Sequence, residues 1–449
     1  MVRLAELLME DWNLYDEAAT ILRWARELYP DETVPTRLLV EALTKSGQED
    51  EARKLSNELP PSDDPDDLVT HALAQAAAFD HAKALELIDR AIALAPDEER
   101  LYARRGLIRF NNGNYDEAAQ DLVRSLMVSW WTPTPDQDFE PLLRGFKKIR
   151  SEVPGDPLAF KVIDVWAKLS KKKPRAAKGL IAKLEGSHWT IDALRAAAAE
   201  RRERAQAKYA RAALAQAPDE VPLLIRLARL DRDDAAIHEK LVRLAPSWPD
   251  AHVDAAACYE RLHDLDKALE HANAAVEKYP SAYNALKMRA EVLEKRGDLK
   301  GALTDLDELV ELYDDEEEPD ETDWDGELWR EELNTLRCAR ARVRQKLRDL
   351  DGAKADLDLA CSLSGSHSCW PFFDRARFYM VIGEREKALA DLDRGLSKVE
   401  WPEALGMRAR LREKMGDTEG AKKDKKRRDE LMKMRQAARR RKPGKKKKK

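Results

Sequence analysis

A chain of 449 residues, 37% of them charged and only 18 of them glycine, is longer than one compact core usually serves and suits a long array of wet-faced helices. Four scattered cysteines, Cys258, Cys338, Cys361 and Cys369, form no C-x-x-C pair and exclude a disulfide framework, so reduced thiols are expected. The formal net charge of −5 argues against a broad nucleic-acid footprint.

At the start of the chain, Glu6 and Glu10 interrupt what would have to be the apolar core of a secretory signal. No later stretch approaches the roughly 20 apolar residues that cross a bilayer. A soluble, cytoplasmic protein is therefore expected. A small residue then recurs in Asp/Lys-rich helix starts at Ala18, Ala52, Ala84 and Ala118, and again at Ala268, Ala302, Ala353, Ala388 and Ala421. The period is about 34 residues, which is the spacing of a repeat array. Twelve positions earlier stands a second small residue, at Ala72, Gly106, Ala256, Ala290, Ala341, Ala376 and Ala409. Two small residues at that separation let two helices cross closely.

Five positions before the alanine a glycine often stands, at Gly47, Gly113, Gly297, Gly383 and Gly416, where a left-handed backbone would end the first helix. Twelve positions after it a proline stops the second helix at Pro30, Pro96 and Pro280, with Pro218 and Pro246 in weaker copies. Each unit reads as helix, turn, helix, stop. The repeats read as an N-terminal set in residues 1–132 and a C-terminal set in 249–421, with the best copies in 33–132 and 249–435. Between them, 133–248 is degenerate, with an inserted helix near Leu142 to Ile149 and Lys171-Lys172-Lys173-Pro174 in place of the usual turn. The Glu6 position, where a small residue would sit, leaves an N-terminal capping segment to be expected ahead of the first unit.

This constellation resembles the tetratricopeptide repeat (TPR), and Gly113-Asn-Tyr-Asp-Glu-Ala118 and Gly383-Glu-Arg-Glu-Lys-Ala388 are similar to that family's turn. The resemblance implies an all-α fold, a right-handed superhelical solenoid of about twelve helix-turn-helix repeats. It further implies a concave groove lined by first helices, where family members hold peptides or partner proteins.

Five first helices carry an arginine one residue before the small position, Arg105, Arg289, Arg340, Arg375 and Arg408. Sixteen residues after each stands an aspartate: Asp121, Asp305, Asp356, Asp391 and Asp424. Units without the arginine, with His71 or Ala255 instead, have Leu87 or His271 at the matching place. Arginine and aspartate come and go together, as a bidentate salt bridge between the two helices of a unit would require. Two residues past three of these arginines stand Arg342, Arg377 and Arg410. Two helical steps turn about 200°, so these are expected on the opposite face, in the groove beside Phe373, Lys287 and Glu291. A cationic groove follows, suited to an acidic peptide or protein. Trp370 and Trp401 are expected to pack.

Residues 314–327 hold ten acids and read as a solvated loop. From Lys422 onward 17 lysines and arginines face Asp424, Asp429 and Glu430, a net +14, leaving −19 on residues 1–421. Residues 422–449 read as a basic capping helix using Leu431, Met432 and Met434, then a disordered lysine tail that could meet nucleic acid or an anionic surface. No phosphate-binding loop, no clustered G-x-G-x-x-G and no H-E-x-x-H occurs. Cys361, His367 and Cys369 fall one ligand short of a structural zinc site, and no metal or cofactor is expected. The sequence thus points to a non-catalytic protein-interaction scaffold or adaptor. The second reading is a nucleic-acid-associated protein that tracks phosphates with Arg342, Arg377, Arg410 and the tail.

Overall fold

The computed structural model describes residues 1–440 apart from 11, 31, 60, 130–139, 151–157, 171–172, 185–187, 200–201, 280–281, 315–323 and 365–367. Pro280, His367, Lys171 and Lys172, the middle of the acidic run and the tail beyond 440 lie outside the described residues. Every regular element among those described is a helix. The chain divides into two compact units, Met1–His271 and Ala272–Lys449.

The first unit opens with four hairpins: α1 (Val2–Glu10) with α2 (Tyr15–Leu28), α3 (Thr33–Ser46) with α4 (Glu49–Glu58), α5 (Pro65–Ala77) with α6 (His81–Leu94), and α7 (Glu99–Asn111) with α8 (Tyr115–Val128). A single helix follows, α9 (Glu140–Ile149), where the insertion was expected. Next come α10 (Leu158–Ser170) with α11 (Pro174–Ile181), α12 (Trp189–Ala197) with α13 (Glu203–Gln216), α14 (Val221–Leu230) with α15 (Ala235–Leu244), and α16 (Pro249–Arg261) leading into α17 (Leu265–Lys278). The second unit continues with α18 (Tyr283–Arg296) and α19 (Leu299–Asp314), α20 (Trp324–Lys346) and α21 (Leu350–Ser362), α22 (Trp370–Ile382) and α23 (Arg385–Lys398), and α24 (Pro402–Lys414) and α25 (Thr418–Arg440).

The repeat pattern builds these hairpins directly. Ala376 and Ala388 are both fully buried where α22 crosses α23, and Ala341 with Ala353 do the same for α20 and α21. Packing at such a crossing leaves no room for larger side chains. At Gly106 a Cβ would come within 3.1 Å of Leu142 and 3.3 Å of the Ala118 carbonyl, so α9 and α8 together leave room there for glycine alone. In each unit consecutive hairpins stack, the second helix of one against the first of the next, as in a helical solenoid.

The turn between paired helices demands one left-handed residue. It is Gly47, Gly113, Gly297, Gly383 and Gly416 where glycine is present, with φ between 80° and 89°. The same position is left-handed in four repeats that lack glycine, at Asn13, Phe79, His263 and Arg348. The hydrogen-bond geometry of the turn therefore overrides the side-chain penalty.

In the middle of the first unit the stacking order changes. Helices α10, α12 and α14 all pack on α8. Arg124 of α8 bonds Glu220 at the start of α14 at 2.7 Å, Arg226 of α14 donates to the Ser129 carbonyl at 2.9 Å, and Arg229 donates to the Val128 carbonyl. The α14–α15 hairpin thus resumes the stack on α7–α8, and α9 to α13 form an excursion from it.

Two expectations are corrected here. The acidic run is helical at both ends, because Asp314 closes α19 and Trp324 to Glu327 open α20. Of the three apolar residues expected to seal the last hairpin, only Leu431 packs on the core; Met432 and Met434 are exposed. The 23-residue α25 outruns the 13-residue α24 it lies against.

Candidate functional site

The arginines one residue before the small position form a two-sided ladder. Arg105 Nε and Nη2 donate to Asp121 at 3.1 and 2.7 Å, and the same fork joins Arg289 to Asp305, Arg340 to Asp356, Arg375 to Asp391 and Arg408 to Asp424. The remaining Nη1 reaches back to the preceding repeat. Arg105 takes Asp89, Arg340 takes Asp307, Arg375 takes Asp358 and Arg408 takes Asp393, at 2.6 to 3.0 Å. A second arginine one turn later, Arg109, Arg344 or Arg412, also donates to the same inner aspartate. Burial disfavours the charged guanidinium of Arg105, but the Asp121 and Asp89 carboxylates outweigh it and raise its pKa. The ladder holds the fold together and exposes little for a ligand.

The inter-repeat half of this ladder was missed in the sequence. Its signal was present as Asp305-Leu-Asp307, Asp356-Leu-Asp358 and Asp391-Leu-Asp393, in which the first aspartate serves its own repeat and the second the next. In the repeat where Ala255 replaces the arginine, His271 takes the aspartate's place. Its Nδ1 lies 3.3 Å from His252 Nδ1 and its Nε2 3.4 Å from Glu239, and its ring stacks on Tyr259.

The second unit carries a groove of about 580 Å³ between α18, α20 and α22. Helical spacing brings one face of each helix to it: Lys287, Ala290, Glu291 and Glu294 from α18; Glu331, Asn334, Thr335, Cys338 and Arg342 from α20; Trp370 and Asp374 from α22. All three are first helices of their hairpins. Of the residues expected to bind a partner, Lys287, Glu291 and Arg342 meet here, whereas Phe373, Arg377 and Arg410 are not among its lining.

Phe373 is fully buried and packs on Trp401 at 5.4 Å and over Gly395. It stands three residues before Ala376, on the same helical face, and so turns into the hairpin and away from the groove. Arg377 is exposed but bonds Asp374 at 2.6 Å and lies over the Trp401 ring. Arg410 is exposed on α24.

Nor is the groove cationic. Five carboxylates, Glu291, Glu294, Glu331, Glu332 and Asp374, face two cations, and both cations are taken. Arg342 forms a fork on Glu294 at 2.8 and 2.9 Å, with Lys346 on the same carboxylate, and Lys287 reaches Glu332 at 2.6 Å. Burial works against the Glu294 carboxylate, yet Arg342 and Lys346 overcome it and lower its pKa. Burial raises the pKa of Asp374 and Glu332. Of the three-arginine stripe, Arg342 is paired with Glu294 of another first helix, Arg377 with Asp374 of its own helix, and Arg410 lies outside the groove's lining.

All four cysteines are free and buried, and burial raises each thiol's pKa; Cys361 is pushed up to about 12. Such thiols are poor nucleophiles at neutral pH. Among the described residues no group of three or more His, Cys, Asp or Glu side chains is placed to hold a metal, and no helix is long and apolar enough to cross a membrane.

Family comparison fits this architecture. One tetratricopeptide-repeat family model matches residues 69–129 and 253–317, and a second matches 13–76. Those stretches carry tetratricopeptide repeats. Among solved structures, yeast Tom70 is 14% identical over 92% of this chain and 97% of its own, with a TM-score of 0.41. A tetratricopeptide repeat protein from Parabacteroides merdae is 17% identical over 51% of this chain and 86% of its own, also at 0.41.

Proposed function

We propose that this chain is a non-catalytic protein-interaction scaffold whose second unit holds an extended segment of a partner protein in the groove between α18, α20 and α22. One observation carries the reading: first helices of three consecutive hairpins present a single concave surface of about 580 Å³ that mixes carboxylates, amide and thiol groups with the exposed indole of Trp370. Mixed linings of that kind suit a peptide's alternating polar and apolar groups. The three hairpins that form the surface are tied one to the next by Arg340 on Asp307 and Arg375 on Asp358, which gives it rigidity. The nucleic-acid reading has lost its main support, since Arg342 and Arg377 are already bonded to carboxylates.

The test is a peptide-display selection on the full chain, followed by binding of the selected peptides to Thr335→Trp, which fills the groove from an exposed position. Peptides that bind the parent and lose the variant support the reading. Peptides that bind both equally would place recognition elsewhere and end it.

A further inference from the structure

The groove's lining carries five carboxylates and two cations, and Lys346 on Glu294 and Arg377 on Asp374 at its edge bring the balance to −1, so the uncompensated negative charge is that of Glu291 and Glu331. Arg342 and Lys287 are consumed by Glu294 and Glu332. Among the described residues, Glu291 of α18 and Glu331 of α20 have no ion-pair partner, and both are exposed. Asp374 on the third helix pairs with Arg377 at the rim and takes a hydrogen bond from the Cys338 thiol.

A second, independent feature lies at the floor. Asn334 lines the groove and is 3% exposed, yet its Oδ1 accepts no hydrogen bond. Buried amide oxygens without a donor are rare and costly in folded proteins. Asn334 stands three residues after Glu331 and four before Cys338, on the face of α20 that the groove exposes. The oxygen has no solvent contact as it stands, so an N–H donor entering between Glu291 and Glu331 reaches it once the Asn334 amide turns toward the groove. Beside it Trp370 is 49% exposed, and an indole next to carboxylates is the setting in which a guanidinium both stacks and pairs.

Building on the groove reading above, we infer that the partner segment is basic: an extended peptide whose arginine or lysine side chain enters between Glu291 and Glu331 and donates to Asn334, with an adjoining apolar residue against Trp370. The acid-rich lining repels the acidic ligand that the arginine pattern in the sequence suggests. It also gives the bound state a defined direction of salt dependence, because the attraction is between exposed charges.

The experiment measures fluorescence anisotropy of two labelled nonapeptides on the full chain, one alternating arginine and leucine and the other with glutamate replacing each arginine. The arginine probe is expected to bind at least about ten-fold tighter than the glutamate probe, and Glu291→Gln/Glu331→Gln to remove about ten-fold of that affinity. Asn334→Leu is expected to weaken the probe with no loss of thermal stability, since it removes an unpartnered acceptor. Absence of arginine-probe binding to the folded chain, or equal binding of the two probes, overturns the inference. So does a double variant with unchanged affinity; if Thr335→Trp abolishes that same binding, the groove reading survives while its charge assignment fails. Binding indifferent to Thr335→Trp defeats both. A chain ending at Arg440 that binds the probe about ten-fold more tightly than the full chain overturns the partner as occupant, because the groove is then filled by the chain's own basic end.

Discussion

Arg375 of α22 donates to Asp358, on the second helix of the preceding hairpin, at 2.8 Å, while two other nitrogens of the same guanidinium hold Asp391 of its own hairpin. One side chain therefore fixes both the crossing of a helix pair and its stacking on the pair before. Repeats in such an array are coupled only to their neighbours, so these bridges are part of what makes the second unit fold as one.

Removing that guanidinium leaves the buried Asp391 without its fork. Arg375→Ala is expected to destabilise the protein by about 2 to 4 kcal/mol. Asp358→Ala, which removes the half-exposed inter-repeat carboxylate, is expected to cost about 1 kcal/mol or less. Urea denaturation followed by circular dichroism checks both. Equal costs for the two variants would contradict the ordering.

Phe79 occupies the left-handed turn position at φ 62° with an 80% exposed ring. Its edge-on contact with the His81 ring at 6.3 Å repays little of that strain. Phe79→Gly is expected to raise stability by about 1 kcal/mol, seen as a higher melting temperature. Gly383→Ala, at φ 88° in the equivalent turn, is expected to lower it by a similar amount.

Gly395 lies on α23 against the ring of Phe373, and a Cβ there would overlap that ring. Phe373 sits between Trp370 and Trp401 and has little room to move. Helix propensity alone would make Gly395→Ala favourable by about 1 kcal/mol. Overpacking is expected to win, with a net loss of about 1 to 2 kcal/mol in chemical denaturation. A stabilised variant would mean that the aromatic cluster can shift.

Asp254 of α16 has its pKa pushed up to about 6 by burial first and by Asp250 next, against the pull of Arg229. The folded state thus holds this proton more tightly than the unfolded chain. Well below pH 3.8 both states are protonated and nothing is lost; as pH rises from about 3.8 to 6 the unfolded chain ionises while the folded acid keeps its proton, and stability falls until the folded acid ionises as well. Asp254→Asn is expected to stabilise the protein by about 1 to 3 kcal/mol at pH 8 and hardly at all well below pH 3.8. Melting temperatures across that window decide it, and a gain that is constant with pH would rule out the carboxyl as its source.

The hairpins, their number and their turns were legible because they depend on contacts within about 34 residues, where small residues, glycine and proline act at fixed offsets. The intra-hairpin pairs Arg105–Asp121 and Arg375–Asp391 had a signature for the same reason: each is formed at a constant separation of sixteen. The structure alone revealed how α14 returns to α8 after the excursion of α9 to α13, since that stacking joins residues about a hundred positions apart across a stretch with no period.

The groove's charge was likewise a tertiary matter. Three arginines in register look like a cationic stripe from any one helix. Their electrostatic character is set by Glu294, 48 residues before Arg342 on another helix, and by Asp374, one turn before Arg377. Phe373 was expected in the groove, but it stands three residues before Ala376, and that small residue marks the buried face. Repetition in the sequence determined what is built in every unit; the surface where units meet depends on which side chains oppose one another, and only folding brings those together.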